Sequence, residues 1–231
     1  MKSRLKKLSL LLAATATLFS TQASAMGMLR SNDTLIMYGH VEPADSERFR
    51  QQMAKGDIRQ IVLSESPGGD MRAAYTIADL ITKNNIHTAV QGNCYSACAM
   101  IFMAGTERQM VAGKKLASTR LGFHGPHNKQ THEVARAAIP HLREWLLKAT
   151  NGKFPEEILD RAMNIDRAGD MMIFYYPGEG MYNDIRFCTE GSLRCESVKG
   201  HNVVSVGVLT TAELLDLEKL SPKTAEEKKP E

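Results

Sequence analysis

Apolar and polar positions along this chain switch between two periods, and each switch marks an element. Residues 34–41 (TLIMYGHV) and 60–64 (QIVLS) are short apolar runs that predict strands. Between them, residues 42–55 predict a helix, with Pro43 near its start and charged residues throughout. A turn follows at Ser66-Pro67-Gly68-Gly69-Asp70. From Asp70 the period lengthens: Met71, Ala74, Tyr75, Ala78 and Ile81 share one helical face, with Asp70 as a natural N-cap. Residues 87–91 predict the next strand and 97–104 an apolar helix of small residues. Residues 116–124 read as another strand, ending before Gly125-Pro126. A helix is expected over 131–150, broken or kinked at Pro140, and a shorter one over 154–164, where Pro155 suits the first turn. Residues 203–209 predict a late strand and 211–220 a closing helix. Strands alternating with helices point to a single α/β domain over residues 26–220, its helices packed on a sheet, with no repeat and no linker.

The two ends fall outside that pattern. Lys2, Arg4, Lys6 and Lys7 precede an apolar stretch at 8–19, and Ala23-Ser24-Ala25 supplies small residues for cleavage. Residues 1–25 therefore read as an export signal cut after Ala25, which sends the chain to the periplasm or outside the cell. The apolar stretch is short for a bilayer span, and no other is long enough, so no membrane span is expected after cleavage. Residues 221–231 (SPKTAEEKKPE from 221) are polar and charged and predict a disordered tail. Residues 1–25 hold four basic residues and no acidic one, so their removal turns the formal net charge from +3 to −1. No basic stripe remains for a nucleic-acid partner. An oxidising destination lets the four cysteines at 94, 98, 188 and 195 form disulfides, and a bridge closing the small Cys188–Cys195 loop fits their spacing. Spacing leaves the full connectivity open.

Three segments carry chemistry. The Gly68-Gly69 turn lies between a strand and a helix, where glycine lets amide N–H groups face a developing negative charge. Residues 92–99 (GNCYSACA) set Ser96 at a strand-to-helix turn, where neighbouring amides can complete an oxyanion hole. Residues 121–126 (LGFHGP) put His124 at the end of a strand, where a neutral imidazole can take a serine proton. Each segment alone has a plainer reading: a common turn, an N-cap serine, a structural histidine.

Taken in order, LSESPGGD, GNCYSACAMIFMAG and LGFHGP resemble the proteolytic subunit of the Clp protease and its relatives in the ClpP/crotonase superfamily, over roughly residues 60–170. The Cys-x-Ser-Ala-Cys signature looks most like that of exported members. The resemblance implies a ClpP/crotonase-like fold of repeated β-β-α units with the sheet flanked by helices. It implies Ser96 as nucleophile, His124 as base, and an oxyanion hole from Gly68 or Gly69 with Ala97. It places the triad acid after the histidine, at Asp170 rather than Asp166, because Asp170 directly precedes the apolar run 171–175. A peptide substrate follows from the same likeness, with an ester as the other acyl candidate. A homo-oligomer would fit, although the family's ATP-driven unfoldase has no counterpart outside the cytoplasm. The stretch FYYPGEGMYNDIRFCTEGSLRCESV, from Phe174, departs from the family pattern and reads as an elaboration over the site or at an oligomer contact.

Cys94 and Cys98 flank Ser96, and three accounts stand: a disulfide stapling the turn, two small buried residues, or a thiolate centre. His124, His127 and His132 are close in sequence, but no carboxylate or cysteine stands at a ligand spacing with them, so neither a metal nor any cofactor is called for. The sequence thus reads as an exported serine hydrolase working through Ser96, His124 and Asp170. The rival reading is a non-catalytic binding or scaffolding protein of the cell envelope on the same fold.

Overall fold

The computed structural model describes residues 25–220 except 114, 129–130, 168, 178–184 and 190–193. The segment read as an export signal, apart from Ala25, and the tail at 221–231 lie outside the described residues. In chain order, β1 (Gly27–Ser31) and β2 (Thr34–Tyr38) form an antiparallel hairpin. Then come α1 (Asp45–Ala54), β3 (Gln60–Ser66), α2 (Met71–Lys83), β4 (His87–Tyr95) and α3 (Ala97–Met103). β5 (Arg108–Met110), β6 (Arg120–Phe123), α4 (Ile139–Ala149) and α5 (Glu156–Met163) follow. β7 (Met171–Phe174), β8 (Ile185–Thr189) and β9 (Arg194–Val198) complete one mixed sheet. Its order is β1-β2-β3-β4-β6-β7-β8-β9, with β5 paired to the first half of β4.

β2, β3, β4 and β6 are parallel neighbours, so their C-terminal ends open on one edge, where α/β sheets carry their sites. β3 reads as a continuous apolar run because both faces are covered: Ile61, Val62 and Leu63 are all buried. α2 starts where the sequence places it. The Asp70 carboxylate accepts from the Ala73 amide at 2.8 Å, a cap that stabilises such a helix by about 1 kcal/mol. Ala73, Ala74, Ile77, Ala78 and Ile81 go into the core, while Met71 and Tyr75 are half-buried.

Several expectations are corrected. The strand expected over 203–209 is a run of turns. Asn202 accepts through its side-chain Oδ1 from the Val204 and Ser205 amides, and Gly207 takes a φ of +74°. Its apolar side chains are still buried, but its carbonyls turn to a buried cation rather than to the sheet. Arg108 donates from Nε to Val208 O (2.9 Å), from Nη2 to Gly207 O (2.8 Å) and from Nη1 to Gly105 O (2.9 Å). Desolvation by burial lowers the Arg108 pKa to about 10.

The closing helix over 211–220 is likewise absent, apart from one 3₁₀ turn at Leu217–Leu220. The open edge of β5 takes the backbone instead: Leu215 N donates to Met110 O (2.9 Å) and Ala112 N to Leu215 O (2.8 Å). The helix expected over 131–150 begins only at Ile139. Pro140 lies in its first turn, where the missing N–H breaks no bond, so it starts the helix rather than kinking it. The strand over 116–124 shortens to β6, because Leu116–Ser118 forms a 3₁₀ turn. The stretch after Phe174, read as an elaboration on the family pattern, supplies β8 and β9. Their hairpin is crossed by a Cys188–Cys195 disulfide between directly paired residues with Cα atoms 4.1 Å apart. β1 and β5 carried too little period to be seen.

Replacing Arg108 with Met leaves three buried carbonyls without their donor. We expect Arg108→Met to lower unfolding stability by about 2–4 kcal/mol, read from the urea midpoint. A change under about 0.5 kcal/mol would mean the loop is held by its apolar side chains alone.

Candidate active site

Three strands deliver the three segments to one place. A bulge at Ser64–Ser66, with Glu65 at a φ of +44°, lets Ser66 pair with Cys94, and Cys94 pairs on its other side with Leu121. The chain leaves that row within three residues on every strand, toward Gly68-Gly69, Ser96 and His124.

The glycine turn is clamped on one side. Ser66 Oγ donates to Gly39 O at 2.6 Å, Val41 N donates to Gly68 O at 2.9 Å, and Asp70 N donates to Val41 O at 2.7 Å. Both glycines take positive φ, +91° at Gly68 and +148° at Gly69. Neither has room for a side chain. A Cβ on Gly68 would meet Tyr95 O at 2.4 Å and Ala97 N at 2.9 Å, and one on Gly69 would meet Val41 O at 2.1 Å. The two amides differ in use. Gly68 N–H donates to Ser66 Oγ at 3.3 Å, whereas Gly69 N–H and Ala97 N–H have no backbone acceptor among the described residues. Gly69 and Ala97 line the cavity, whereas Gly68 is packed against the β4–α3 turn.

Ser96 sits at the apex of the β4–α3 turn with φ 54° and ψ −120°, a conformation that costs a non-glycine residue about 1–3 kcal/mol. Its amide donates to Gly122 O at 2.9 Å, tying the turn to β6. Its side chain caps nothing in α3 and makes no hydrogen bond among the described residues, so the hydroxyl is free to face the cavity it lines. A disulfide joins Cys94 to Cys98 across the turn, with Cα atoms 5.3 Å apart. Of the three accounts of these cysteines the structure takes the staple, and the described residues contain no free thiol.

His124 follows Phe123, which is held edge-on by Phe174 and Phe154 at 5.2 and 6.3 Å between ring centroids. Its Nδ1 lies 2.6 Å from Gly125 O, and His127 Nδ1 lies 2.9 Å from the same oxygen. A carbonyl only accepts, so each Nδ1 that bonds it does so through its own hydrogen. The two Nδ1 atoms are 3.2 Å apart, and His127 Nε2 is buried without a partner among the described residues. Burial lowers the His124 pKa; the Gly125 carbonyl opposes this and the neighbouring His127 adds to it. The imidazole is therefore neutral at neutral pH, with Nε2 unprotonated.

A cavity of about 470 Å³ collects these groups, lined by Gly69, Ser96, Ala97, His124 and His127 on its polar side. Met71, Met100, Phe123, Leu142, Leu146 and Met163 form its apolar wall, and His40, Glu42 and His132 also reach it. Among the described residues, no three His, Cys, Asp or Glu side chains are placed to hold a metal ion. Asp170 is buried but lines a separate concavity with Arg161, Arg167 and Asp166. Asp166 is exposed and ion-paired with Arg136 at 3.3 Å. The structure thus brings together Ser96, His124, Gly69 and Ala97, and leaves both aspartates outside their cavity. Sequence reasoning missed His127 as a contact of His124, though its i+3 spacing in GFHGPH was the available signal.

A parallel-centred sheet with a serine at one strand end and a histidine at the next defines a peptidase-type α/β fold. The Clp protease family model matches residues 20–143, more than half of the chain, and the chain belongs to that family. Two solved structures share the fold. ClpP1 from Listeria monocytogenes is 18% identical, with a TM-score of 0.50 over 80% of this chain and 91% of that one. A point mutant of the same protein is 17% identical, with a TM-score of 0.51 and the same coverage. No curated protein matches the sequence.

The close packing at Gly68 makes a direct prediction. Gly68→Ala forces a Cβ against the Tyr95 carbonyl and the Ala97 amide, so thermal unfolding should show a loss of about 2–4 kcal/mol. An unchanged midpoint would mean that the turn has another conformation open to it.

Proposed function

We propose that the chain is an exported serine hydrolase, a peptidase in which Ser96 is the nucleophile and His124 the general base. The observation that carries this reading is the shared cavity. Among the described residues it gathers a serine hydroxyl without a hydrogen bond at a strained turn, a neutral imidazole with Nε2 unprotonated, and the Gly69 and Ala97 amides without a backbone acceptor. Ser96 Oγ attacks the substrate carbonyl as its proton passes to His124 Nε2. The Gly69 and Ala97 amides hold the oxyanion. The intermediate then collapses to an acyl-serine, and His124 returns the proton to the leaving amine or alcohol. Water repeats the sequence to free the acid. The apolar residues that line the same cavity favour a peptide or ester with an apolar side chain. Export rests on the basic-then-apolar start of the chain, and two disulfides suit an oxidising compartment.

Asp170 is the acid proposed to complete a triad. It precedes Met171 on the strand whose Met172 pairs with Phe123, one residue before the base. In the resting structure the Gly125 carbonyl already holds the Nδ1 proton, so Asp170 joins the base only if residues 124–127 rearrange. A second reading, a non-catalytic binding protein, draws on the absence of a Ser96–His124 hydrogen bond among the described residues.

Labelling of purified mature protein by a fluorophosphonate probe tests the proposal. Wild type should label, Ser96→Ala should not, and His124→Ala should label about 100-fold slower or less. Well-folded wild type that takes no label would hand the cavity to the binding reading. Asp170→Asn sorts the orienting groups: a loss as large as that of His124→Ala puts the carboxylate in the working site, and a loss under about tenfold leaves Gly125 as its orienting acceptor.

The acid limb of the labelling rate should also be displaced. Because burial lowers the His124 pKa, the base stays unprotonated as pH falls, and the limb should have its midpoint below the ordinary histidine value of about 6.5. A midpoint above that value would contradict an enclosed, neutral base.

A further inference from the structure

We propose that the Cys94–Cys98 disulfide is the positioning element of the nucleophile: Ser96 keeps its reactive conformation only while the two sulfurs are joined, so the chain folds in either redox state but acylates only when oxidised. The inference rests on Ser96 being the nucleophile. Its basis is where the bond lies. Cys94 is pinned in the sheet between Ser66 and Leu121, and Cys98 is buried on α3. Both have zero exposure and belong to the main apolar core. The bond closes a ring over residues 94–98, and the one strained residue inside it is Ser96, at φ 54°.

Once the bond is open, no covalent link holds residues 94–98 as a closed ring. With Cys94 fixed by its two neighbouring strands and Cys98 packed in the core, the strain at Ser96 is then free to relax through Tyr95, Ser96 and Ala97. Those residues hold the nucleophile and one oxyanion donor, and the Ser96 amide's bond to Gly122 O is what the turn gives up as it relaxes. The fold itself survives, because a buried thiol packs as a small apolar residue. Relief of strain of this kind corresponds to roughly a 5- to 150-fold shift away from the reactive conformer. The second disulfide, in the β8–β9 hairpin, does not line the cavity and serves as an internal control.

Closure of the bond is thiol–disulfide exchange. The Cys94 and Cys98 thiols lose two hydrogens and two electrons, and a disulfide-bearing oxidant, protein or small molecule, takes them up as two thiols. In a reducing compartment the precursor stays silent, and oxidation after export completes the site.

The test compares fluorophosphonate labelling rates of oxidised wild type, Cys94→Ala/Cys98→Ala and Cys188→Ala/Cys195→Ala, with circular dichroism on each. A further sample of wild type is refolded under a phosphine reductant and then reoxidised with oxidised glutathione. The 94/98 double variant and the reduced wild type should label at least about tenfold slower while retaining their helical signal, and reoxidation should restore the rate. The 188/195 variant should stay within about twofold of wild type. Should the 94/98 variant unfold, the reduced and reoxidised wild type decides alone. Reduced wild type labelling at the full rate, with Ser96→Ala unlabelled, overturns the positioning role and leaves the hydrolase standing. Oxidised wild type that takes no label at all removes both.

Discussion

Ser66, Cys94 and Leu121 lie in one row across β3, β4 and β6, and parallel pairing holds that row in register. A one-residue slip in any of these strands would turn its side chains to the opposite face of the sheet. It would also carry away the glycine turn, the serine or the histidine, since each lies two or three residues beyond the row. Register here decides which residues reach the cavity as well as which are buried. The bulge opposite Glu65 belongs to the same constraint: β4 sets Gly92 and Asn93 against that one residue of β3, and without the extra residue Ser66 would not meet Cys94.

Electrostatics at the cavity follows from enclosure. An imidazole taken out of water resists charging, so His124 rests neutral. The Gly125 carbonyl sets the tautomer by accepting from Nδ1. His127 Nδ1 reaches the same oxygen at 2.9 Å and lies 3.2 Å from His124 Nδ1, so both imidazoles gather on one carbonyl at the cavity wall.

What could be read from the sequence tracks how local each determinant is. The Asp70 cap, the α2 face and the strand-to-helix turn at Ser96 are written in adjacent residues, and the structure has them where the pattern put them. The glycine turn and His124 were legible only as a set, through family resemblance, because each motif alone is common. The failures lie where distant partners decide. The Asn202–Leu209 segment has the apolar content of a strand, but its carbonyls are claimed by an arginine about a hundred positions earlier. The 211–216 stretch has helical spacing, yet the edge of β5 offered its backbone a partner first. Ionic and edge-pairing contacts of that range leave no period to count.

Arg108 also bears on the order in which the molecule can be finished. Its guanidinium joins the far end of the helix headed by Ser96, through Gly105 O, to residues 207 and 208, which leave the ribosome about a hundred residues later. Until they arrive, a cation in the middle of the chain lacks two of its acceptors, and the half of the domain that holds Ser96 has no reason to close around it. Completion of that half thus waits on the last part of the domain to be made.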